Sequence, residues 1–202
     1  MLDTRARKAV DPLFERFARL LFKLRFTPNV VTLLAFLFGL GAGMLLYFRL
    51  PIPAVLVLWF SGLLDAVDGT LARLSGKSSL FGAVLDVSGD RVVELGFVWA
   101  LALRHPDCLL PLLGLVSCIL LSMTVFLTTG MLAQNHSSKS FYYPAGLMER
   151  TEGFVLFSLM ALFQAHLALI TWVFAGLILF TAIQRLLIAF RLQKEHLSKG
   201  DL

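Results

Sequence analysis

Three stretches of this sequence, residues 27–48, 108–135 and 153–184, contain no charged side chain. A helix of about 20 apolar residues crosses the hydrocarbon core of a bilayer, so the third stretch is too long for one crossing, and we expect its break at Gln164 to His166. Because 58% of the residues are hydrophobic and only 15% are charged, the surplus apolar surface needs lipid as its solvent. The sequence therefore predicts an all-α integral membrane protein.

Polar turns divide the chain into six predicted transmembrane helices, at residues 27–48, 53–73, 80–103, 108–135, 144–163 and 166–191. Residues 1–26 lack the early apolar core of a cleavable signal peptide. They instead carry an apolar stripe opposite basic residues, which predicts an N-terminal amphipathic juxtamembrane helix on an anionic membrane surface. A leader helix packed on the bundle stays open as the alternative. The stripe consists of Leu13, Phe14, Phe17, Leu20, Leu21 and Leu24.

Lysine and arginine residues lie unevenly on the two sides of the predicted bundle. With six crossings both termini share one side, which holds 15 of the 18 such residues, against Arg49 and Arg104 in the opposite turns. The positive-inside rule then places both termini, the GKSS turn at 76–79, the HSSKSFYY loop at 136–143 and a tail at 193–202 in the cytoplasm. The same distribution explains the net charge of +5 without nucleic acid, which we do not expect as a partner.

Charged residues interrupt the second and third predicted spans. An ionised residue at the centre of a membrane helix costs ~2.5–3.5 kcal/mol even on a lenient insertion scale, so several on adjacent helices need compensating partners. They are Asp65, Asp68 and Arg73 in the second span, and Asp86, Asp90, Arg91 and Glu94 in the third.

The spacing of the aspartates indicates a metal site. Asp65 and Asp68 are three residues apart, and Asp86 and Asp90 are four apart, so each pair shares one helix face. The two helices are consecutive and joined by a short turn, so the facing pairs can converge. Four neighbouring carboxylates stay ionised only with cation charge, and oxygen ligands select Mg²⁺ or Mn²⁺. Two such ions, bridging a phosphate, suit four carboxylates.

Small residues lie where a ligand needs space beside these acids. Gly82 lies four residues before Asp86 on the same face, Gly69 lets backbone approach a bound group, and Arg73 can pair with a phosphate. In an alternative interpretation, the acids form buried ion pairs with Arg73 and Arg91 that only join the helices. We disfavour it because the acids outnumber the nearby bases.

Residues 65–90 resemble the signature of the CDP-alcohol phosphotransferase family, D-x2-D-G-x2-A-R-x8-G-x3-D-x3-D, at all eight fixed positions. The stretch TPNVVT at residues 27–32 is similar to the Pro-Asn-x-x-Thr start of the first span in that family. The resemblance implies a six-helix, usually homodimeric membrane enzyme, with residues 27–192 as its catalytic domain. Such an enzyme would transfer a substituted phosphate, expected to be phosphatidyl from CDP-diacylglycerol, to an alcohol acceptor and release CMP.

The resemblance also implies roles for individual residues. Asp65, Asp68, Asp86 and Asp90 would ligate the metal, and Asp90 would also be the general base that takes the proton of the acceptor hydroxyl. The residues expected to contact the CDP donor are Pro28, Asn29, Val30, Val31, Gly69, Arg73, Ser79 and Gly82.

The fourth span departs from family branches that make phosphatidylglycerophosphate or phosphatidylinositol phosphate. Those branches carry a tyrosine followed by basic and acidic positions, whereas LLSMTVFLTTGMLAQNH has no charge here. Arg150 and Arg185 could instead converge on an acceptor phosphate from opposite helices, and anchoring to lipid headgroups is the alternative for both. The acceptor stays open among a polyol phosphate, a free polyol and serine.

Other functions share parts of this pattern. A CDP-choline or CDP-ethanolamine transferase uses a lipid as acceptor. Prenyltransferases also place aspartate-rich motifs on membrane helices, but with different spacing and no Gly-x2-Ala-Arg sequence. A small cation transporter or an inactive scaffold fits four intact acids less well, and no further span offers a polar conduction path.

Overall fold

The computed structural model describes residues 2–76, 79–134 and 146–200, and every regular element within these ranges is helical. The helices are α1 (Leu2–Lys23), α2 (Pro28–Tyr47), α3 (Pro51–Ser75), α4 (Leu80–Arg104), α5 (Leu109–Gln134), α6 (Arg150–Leu162) and α7 (Leu167–Gly200). Short 3₁₀ turns at Pro106–Cys108 and Gln164–His166 precede α5 and α7. The predicted loop at 136–143 and residues 77–78 of the predicted GKSS turn lie outside the described residues.

Apart from the start of α6 and the end of α7, which extends to Gly200 instead of residue 191, the helix boundaries lie within two residues of the predicted spans. The predicted break at Gln164 to His166 is confirmed by the 3₁₀ turn there. Pro28 and Pro51 open α2 and α3, because the fixed φ of proline suits the first helical position and its missing N–H is not needed there. Gly76, with φ at 64°, adopts the left-handed conformation that ends α3.

The fifth predicted span begins later than expected. Instead of starting near Pro144, α6 begins at Arg150 and has 13 residues. The residues just before it are held by α7: the Leu147 N–H donates to Gln184 Oε1 at 3.0 Å, and the Met148 N–H to Thr181 Oγ1 at 3.0 Å. Side chains of α7 therefore satisfy backbone donors that a longer helix would have paired internally.

Four segments are long and apolar enough to cross a membrane: Pro28–Tyr47, Pro51–Ser75, Pro106–Met131 and Gln164–Arg191. α4 has sufficient length but carries several charges, and α6 is short. Large apolar side chains face outward, as at Trp99, Leu110 and Phe190, which are 64%, 71% and 66% exposed. Because so much apolar surface needs lipid around it, the chain is a multi-pass membrane protein.

α2 holds the two acidic helices in place. It packs along both α3 and α4, which barely touch each other in the described residues. The approach of α2 to α4 requires glycine, since a Cβ at Gly43 would lie 3.0 Å from the Gly96 carbonyl oxygen. On the other side, Ser61 Oγ of α3 donates to the Ala35 carbonyl of α2 at 2.6 Å. The space left between α3 and α4 accommodates their acidic side chains.

An aromatic cluster joins α4, α6 and α7. Phe157 of α6 meets Phe97 of α4 edge to face with ring centroids 5.5 Å apart, and Phe174 of α7 in the same way at 5.1 Å. All three rings are almost fully buried. Such pairs add to the energy of burial, so they fix the first turns of α6 relative to the acidic face of α4.

α1 packs on the bundle with one part of its apolar stripe. Phe14, Phe17 and Leu21 of the stripe, with the adjacent Ala18, lie against apolar side chains of α2 and α3. Leu13, Leu20 and Leu24 remain exposed, at 62%, 51% and 59%. α1 therefore packs on the bundle, as expected of a leader helix, and its exposed leucines also form an apolar edge on the outer side.

Candidate metal centre

Three carboxylates from two helices meet in the space between α3 and α4. One oxygen each of Asp65, Asp68 and Asp86 lies within 4.8 Å of the others. The i, i+3 spacing directs Asp65 and Asp68 to one face of α3, and Asp86 approaches from α4. Asp65 is only 9% exposed and Asp68 only 6%. The structure thus brings three of the four predicted ligands together.

This donor set fits a hard divalent cation. All the ligand atoms are carboxylate oxygens, which suit Mg²⁺ or Mn²⁺. Asp86 Oδ1 is buried and accepts no hydrogen bond from any described residue. A buried acceptor without a donor is costly, and a cation at this cluster would satisfy it.

Thr32 is a further residue of this site, beyond those predicted from the sequence. Its Oγ1 lies 2.5 Å from Asp68 Oδ2, and 3.1 Å from the Pro28 carbonyl oxygen one helical turn earlier. A hydroxyl has one proton to donate, and the shorter distance assigns it to the carboxylate. The sequence signal was the fixed threonine in the Pro-Asn-x-x-Thr stretch, whose partner 36 residues away only the structure identifies.

Arg150, the first residue of α6, binds two of the acids. One guanidinium nitrogen donates to Asp65 Oδ2, and the other donates to Asp90 Oδ1 at 2.7 Å. The guanidinium carbon lies 5.7 Å from the ring centroid of Phe154. Asp90 is therefore held beside the three-carboxylate cluster by a cation from a third helix.

The two other cations near these acids in the sequence, Arg73 and Arg91, have different partners. Arg73 instead donates to Thr70 Oγ1 at 3.0 Å, and Arg91 forms an ion pair with Glu94 at 2.7 Å. Arg150 lies 85 residues from Asp65, so no local spacing indicates their contact.

Arg185 has different surroundings from Arg150. It is 6% exposed, donates to Ser122 Oγ of α5 at 3.2 Å, and lies 4.9 Å from the ring centroid of Phe126. It also packs beside Gly146, where a Cβ would lie 3.5 Å from Arg185 Nε. Arg185 thus borders the segment that leads into Arg150, while Arg150 itself contacts the carboxylates.

Residues expected to contact the nucleotide gather where α2 and α4 begin and α3 ends. Ser79 caps α4, since its Oγ accepts from the Gly82 N–H at 3.0 Å. A Cβ at Gly82 would lie 3.0 Å from that oxygen and 3.8 Å from Asn29 Oδ1. At Gly69, the described atom that a Cβ would approach is Arg73 Nη1, at 3.8 Å, which leaves room for a ligand.

The stretch at the start of α2 alternates between the core and the surface. Pro28 and Val31 are buried, and Val31 packs among apolar residues of α1 and α3. Asn29 and Val30 are exposed. The two buried residues therefore fix the helix, and the two exposed ones are accessible to a ligand.

A small cavity of about 20 Å³ adjoins Asp90. Its polar lining consists of Ser61, Asp90, Glu94 and Arg150. Its apolar lining consists of Leu58, Val93, Phe97, Phe154 and Phe157. The cavity lies between the acidic face of α4 and the first turns of α6.

The sequence of this chain is similar to those of known proteins. Residues 25–184 match the family model for CDP-alcohol phosphatidyltransferase. The inner membrane protein YnjF of Escherichia coli (strain K12) is 32% identical over 193 residues, which cover 92% of this chain and 93% of that protein. Phosphatidylinositol phosphate synthase of Corynebacterium glutamicum is 29% identical over 207 residues, 94% of this chain and 89% of that protein.

A solved structure has the same arrangement of helices. The crystal structure of Mycobacterium tuberculosis phosphatidylinositol phosphate synthase with CDP-DAG bound superposes with a TM-score of 0.68 at 25% sequence identity. The match covers 89% of this chain and 94% of that one.

Proposed function

Because this chain belongs to the CDP-alcohol phosphatidyltransferase family, we propose that it transfers phosphatidyl from CDP-diacylglycerol to a small polar alcohol and releases CMP. The enzyme is a metal-dependent membrane transferase of phospholipid synthesis. The observation that carries the proposal is the meeting of Asp65, Asp68 and Asp86 beside Asp90, within the signature spacing. The similar solved structure of a phosphatidylinositol phosphate synthase, which has CDP-DAG bound, supports this donor.

Asp65, Asp68, Asp86 and Asp90 would hold two Mg²⁺ or Mn²⁺ ions. When bound, such ions neutralise the charge on the donor pyrophosphate and on the leaving CMP. Thr32 holds the Asp68 carboxylate in place through its hydroxyl. The chain thus supplies both the ligands and the contact that orients one of them.

Asp90 would act as the general base. Its carboxylate takes the proton of the acceptor hydroxyl while that oxygen forms a bond to the phosphatidyl phosphorus. The bond between this phosphorus and the oxygen of CMP breaks in the same displacement, and CMP leaves with the electron pair. Asp90 lines the cavity next to the carboxylate cluster, where an acceptor hydroxyl would enter.

The CDP donor would lie at the ends of α2, α3 and α4. Asn29, Val30 and Arg73 are exposed there, and Gly69 leaves space for the nucleotide. Arg73 suits a phosphate oxygen. Ser79 and Gly82 would shape the turn against which it rests, and Pro28 and Val31 would hold the first turn of α2 in position.

Arg150 and Arg185 would serve the acceptor. Arg150 lies next to Asp90, so its guanidinium can also bind an anionic group of an acceptor whose hydroxyl faces the base. Arg185 would support this side of the pocket through the Gly146 segment that leads into α6.

We further propose the finer architecture of the protein. Six helices, α2 to α7, would cross the membrane as residues 27–192, with α1 on the cytoplasmic membrane surface through its exposed leucines. Both termini and the active site would face the cytoplasm, with 193–202 as a tail, and two copies would form a homodimer. The lysine and arginine distribution supports the orientation.

Topology can be measured with single cysteines in a protein whose Cys108 and Cys118 are replaced by alanine. A membrane-impermeant thiol reagent should label Pro106→Cys in intact cells, because the turn after α4 faces outward. Ser75→Cys, at the end of α3, should be labelled only after the membrane is opened. The reverse pattern would place the active site outside the cell.

The function itself is tested with purified protein, labelled CDP-diacylglycerol, Mn²⁺ and a panel of alcohols. We expect CMP and a new phospholipid to form in equal amounts, and only when an alcohol is present. The control reaction supplies CDP-choline with diacylglycerol. CMP release in that reaction, and none from CDP-diacylglycerol, would contradict the proposed donor.

A further inference from the structure

The proposed function leaves one charged pair of α4 without a role. Arg91 and Glu94 lie within the helix, and Glu94 is fourteen residues past Leu80, or about 21 Å along the axis at about 1.5 Å per residue. Ionisable residues at such depth are costly and mark sites of function by default. A pair that only stabilised the helix would be unnecessary there, because apolar residues would do so without that cost.

The Glu94 carboxylate is only half satisfied. Its Oε1 is 2.7 Å from Arg91 Nη2. Its Oε2 is buried and accepts no hydrogen bond from the residues that the structure describes. A buried carboxylate oxygen without a donor indicates a partner that arrives from outside the chain.

Glu94 and the proposed base line the same cavity. Glu94 follows Asp90 by four residues, so both side chains lie on one face of α4, one turn apart. At about 20 Å³ the cavity admits a group of the size of a water molecule or a hydroxyl. Its lining also contains the rings of Phe97, Phe154 and Phe157, which suit the C–H face of a small molecule.

The charges around Glu94 favour a neutral hydroxyl over an ammonium group. Arg91 already balances the charge of Glu94, and Arg150 balances that of Asp90 in the same cavity. An ammonium would add a positive charge beside carboxylates that each already have a cation, whereas a hydroxyl can donate to Oε2 without adding charge.

We propose that Glu94 determines acceptor specificity, with its Oε2 accepting a hydrogen bond from a second hydroxyl of a polyol whose reacting hydroxyl faces Asp90. This inference rests on the proposed function and deepens it by naming the acceptor as a polyol. Arg91 is the positioning residue, because its ion pair holds Glu94 Oε1 and leaves Oε2 for the acceptor.

The test compares two matched pairs of acceptors in the CMP-release assay. The pairs are glycerol with propan-1-ol, and glycerol 3-phosphate with 3-hydroxypropyl phosphate, so each pair differs by hydroxyls other than the reacting one. The preference is the kcat/KM of the acceptor with more hydroxyls divided by that of its partner. In Glu94→Ala this ratio should fall about 10- to 100-fold, as expected for a lost hydrogen bond to a charged group. Ser88→Ala, an exposed neighbour on α4, should keep the ratio of the wild type.

Glu94→Gln is the control for a folding defect, because glutamine has nearly the same volume as glutamate and leaves no cavity. A ratio reduced in Glu94→Gln, with an unchanged KM for the donor, supports the proposal. An equal loss of kcat/KM for both members of a pair would indicate that Glu94 is only structural. A selective loss of turnover with serine would indicate a site for an ammonium group. Either result overturns this inference but leaves the proposed function in place. A wild type that releases no CMP with any alcohol would overturn the proposed function as well.

Discussion

Replacing Asp90 by asparagine should lower turnover by about 10²–10⁴-fold, the usual contribution of a positioned base, while CDP-diacylglycerol still binds. The amide offers one oxygen to a metal ion but cannot take the proton of the acceptor hydroxyl. Asp90 is suited to this role because Arg150 holds its carboxylate at 2.7 Å, beside the cluster of the other three aspartates. Added Mn²⁺ should therefore not restore the rate.

Asp65→Asn is the matched comparison, because Asp65 contacts the same guanidinium but belongs to the three-carboxylate cluster. It removes charge from the metal site, so metal and donor affinity should weaken together and raised Mn²⁺ should partly restore turnover. The measurement is donor binding and CMP release for both variants across a Mn²⁺ titration. Equal rescue of the two variants would make Asp90 a metal ligand only and place the base elsewhere. Undiminished wild-type turnover in excess EDTA would contradict the metal site.

Replacing Arg150 by alanine should lower kcat/KM for a phosphorylated acceptor about 10- to 100-fold, through a raised KM. This loss corresponds to one charge-assisted hydrogen bond of about 1.5–3 kcal/mol. Only one such bond is counted because the side chain is 32% exposed, and solvent weakens the interactions of an exposed charge. Affinity for the CDP donor should change little, since the donor residues lie at the ends of α2, α3 and α4. Acceptor kinetics and donor binding, measured separately, check this expectation.

Two further variants separate the roles of this arginine. Arg150→Lys keeps the charge but loses the fork that reaches Asp65 and Asp90 together, so it should recover only part of the acceptor affinity. In EDTA, Arg150→Ala should unfold at a lower temperature than the wild type, because Asp65 and Asp90 lose their shared cation, and Mn²⁺ should narrow the difference. Arg185→Ala should affect the acceptor less, because Arg185 is held by α5. Wild-type acceptor kinetics in both alanine variants would restrict these arginines to structural or lipid contacts.

The proximity of the aspartates could be predicted from the sequence because it depends largely on local spacing. Asp65 and Asp68 lie three residues apart on one helix, so their common face follows from helical geometry alone. The membrane class and the break at Gln164 to His166 likewise followed from runs of uncharged residues. The late start of α6 did not, because it depends on hydrogen bonds from Thr181 and Gln184 of α7.

The sequence by itself determined the family, the membrane setting and the residues that can bind a metal, since helical periodicity, hydropathy and fixed spacing are all local properties. The tertiary structure decided which distant side chains meet. The hydroxyl of Thr32 reaches Asp68, Arg150 joins Asp65 to Asp90, and Arg185 turns toward α5. These contacts depend on how each helix is rotated about its axis and where it crosses its neighbours. The packing of α2 against α3 and α4 sets the rotation and the crossing points of these helices. That packing depends on all three helices together, so it cannot be predicted from any one of them.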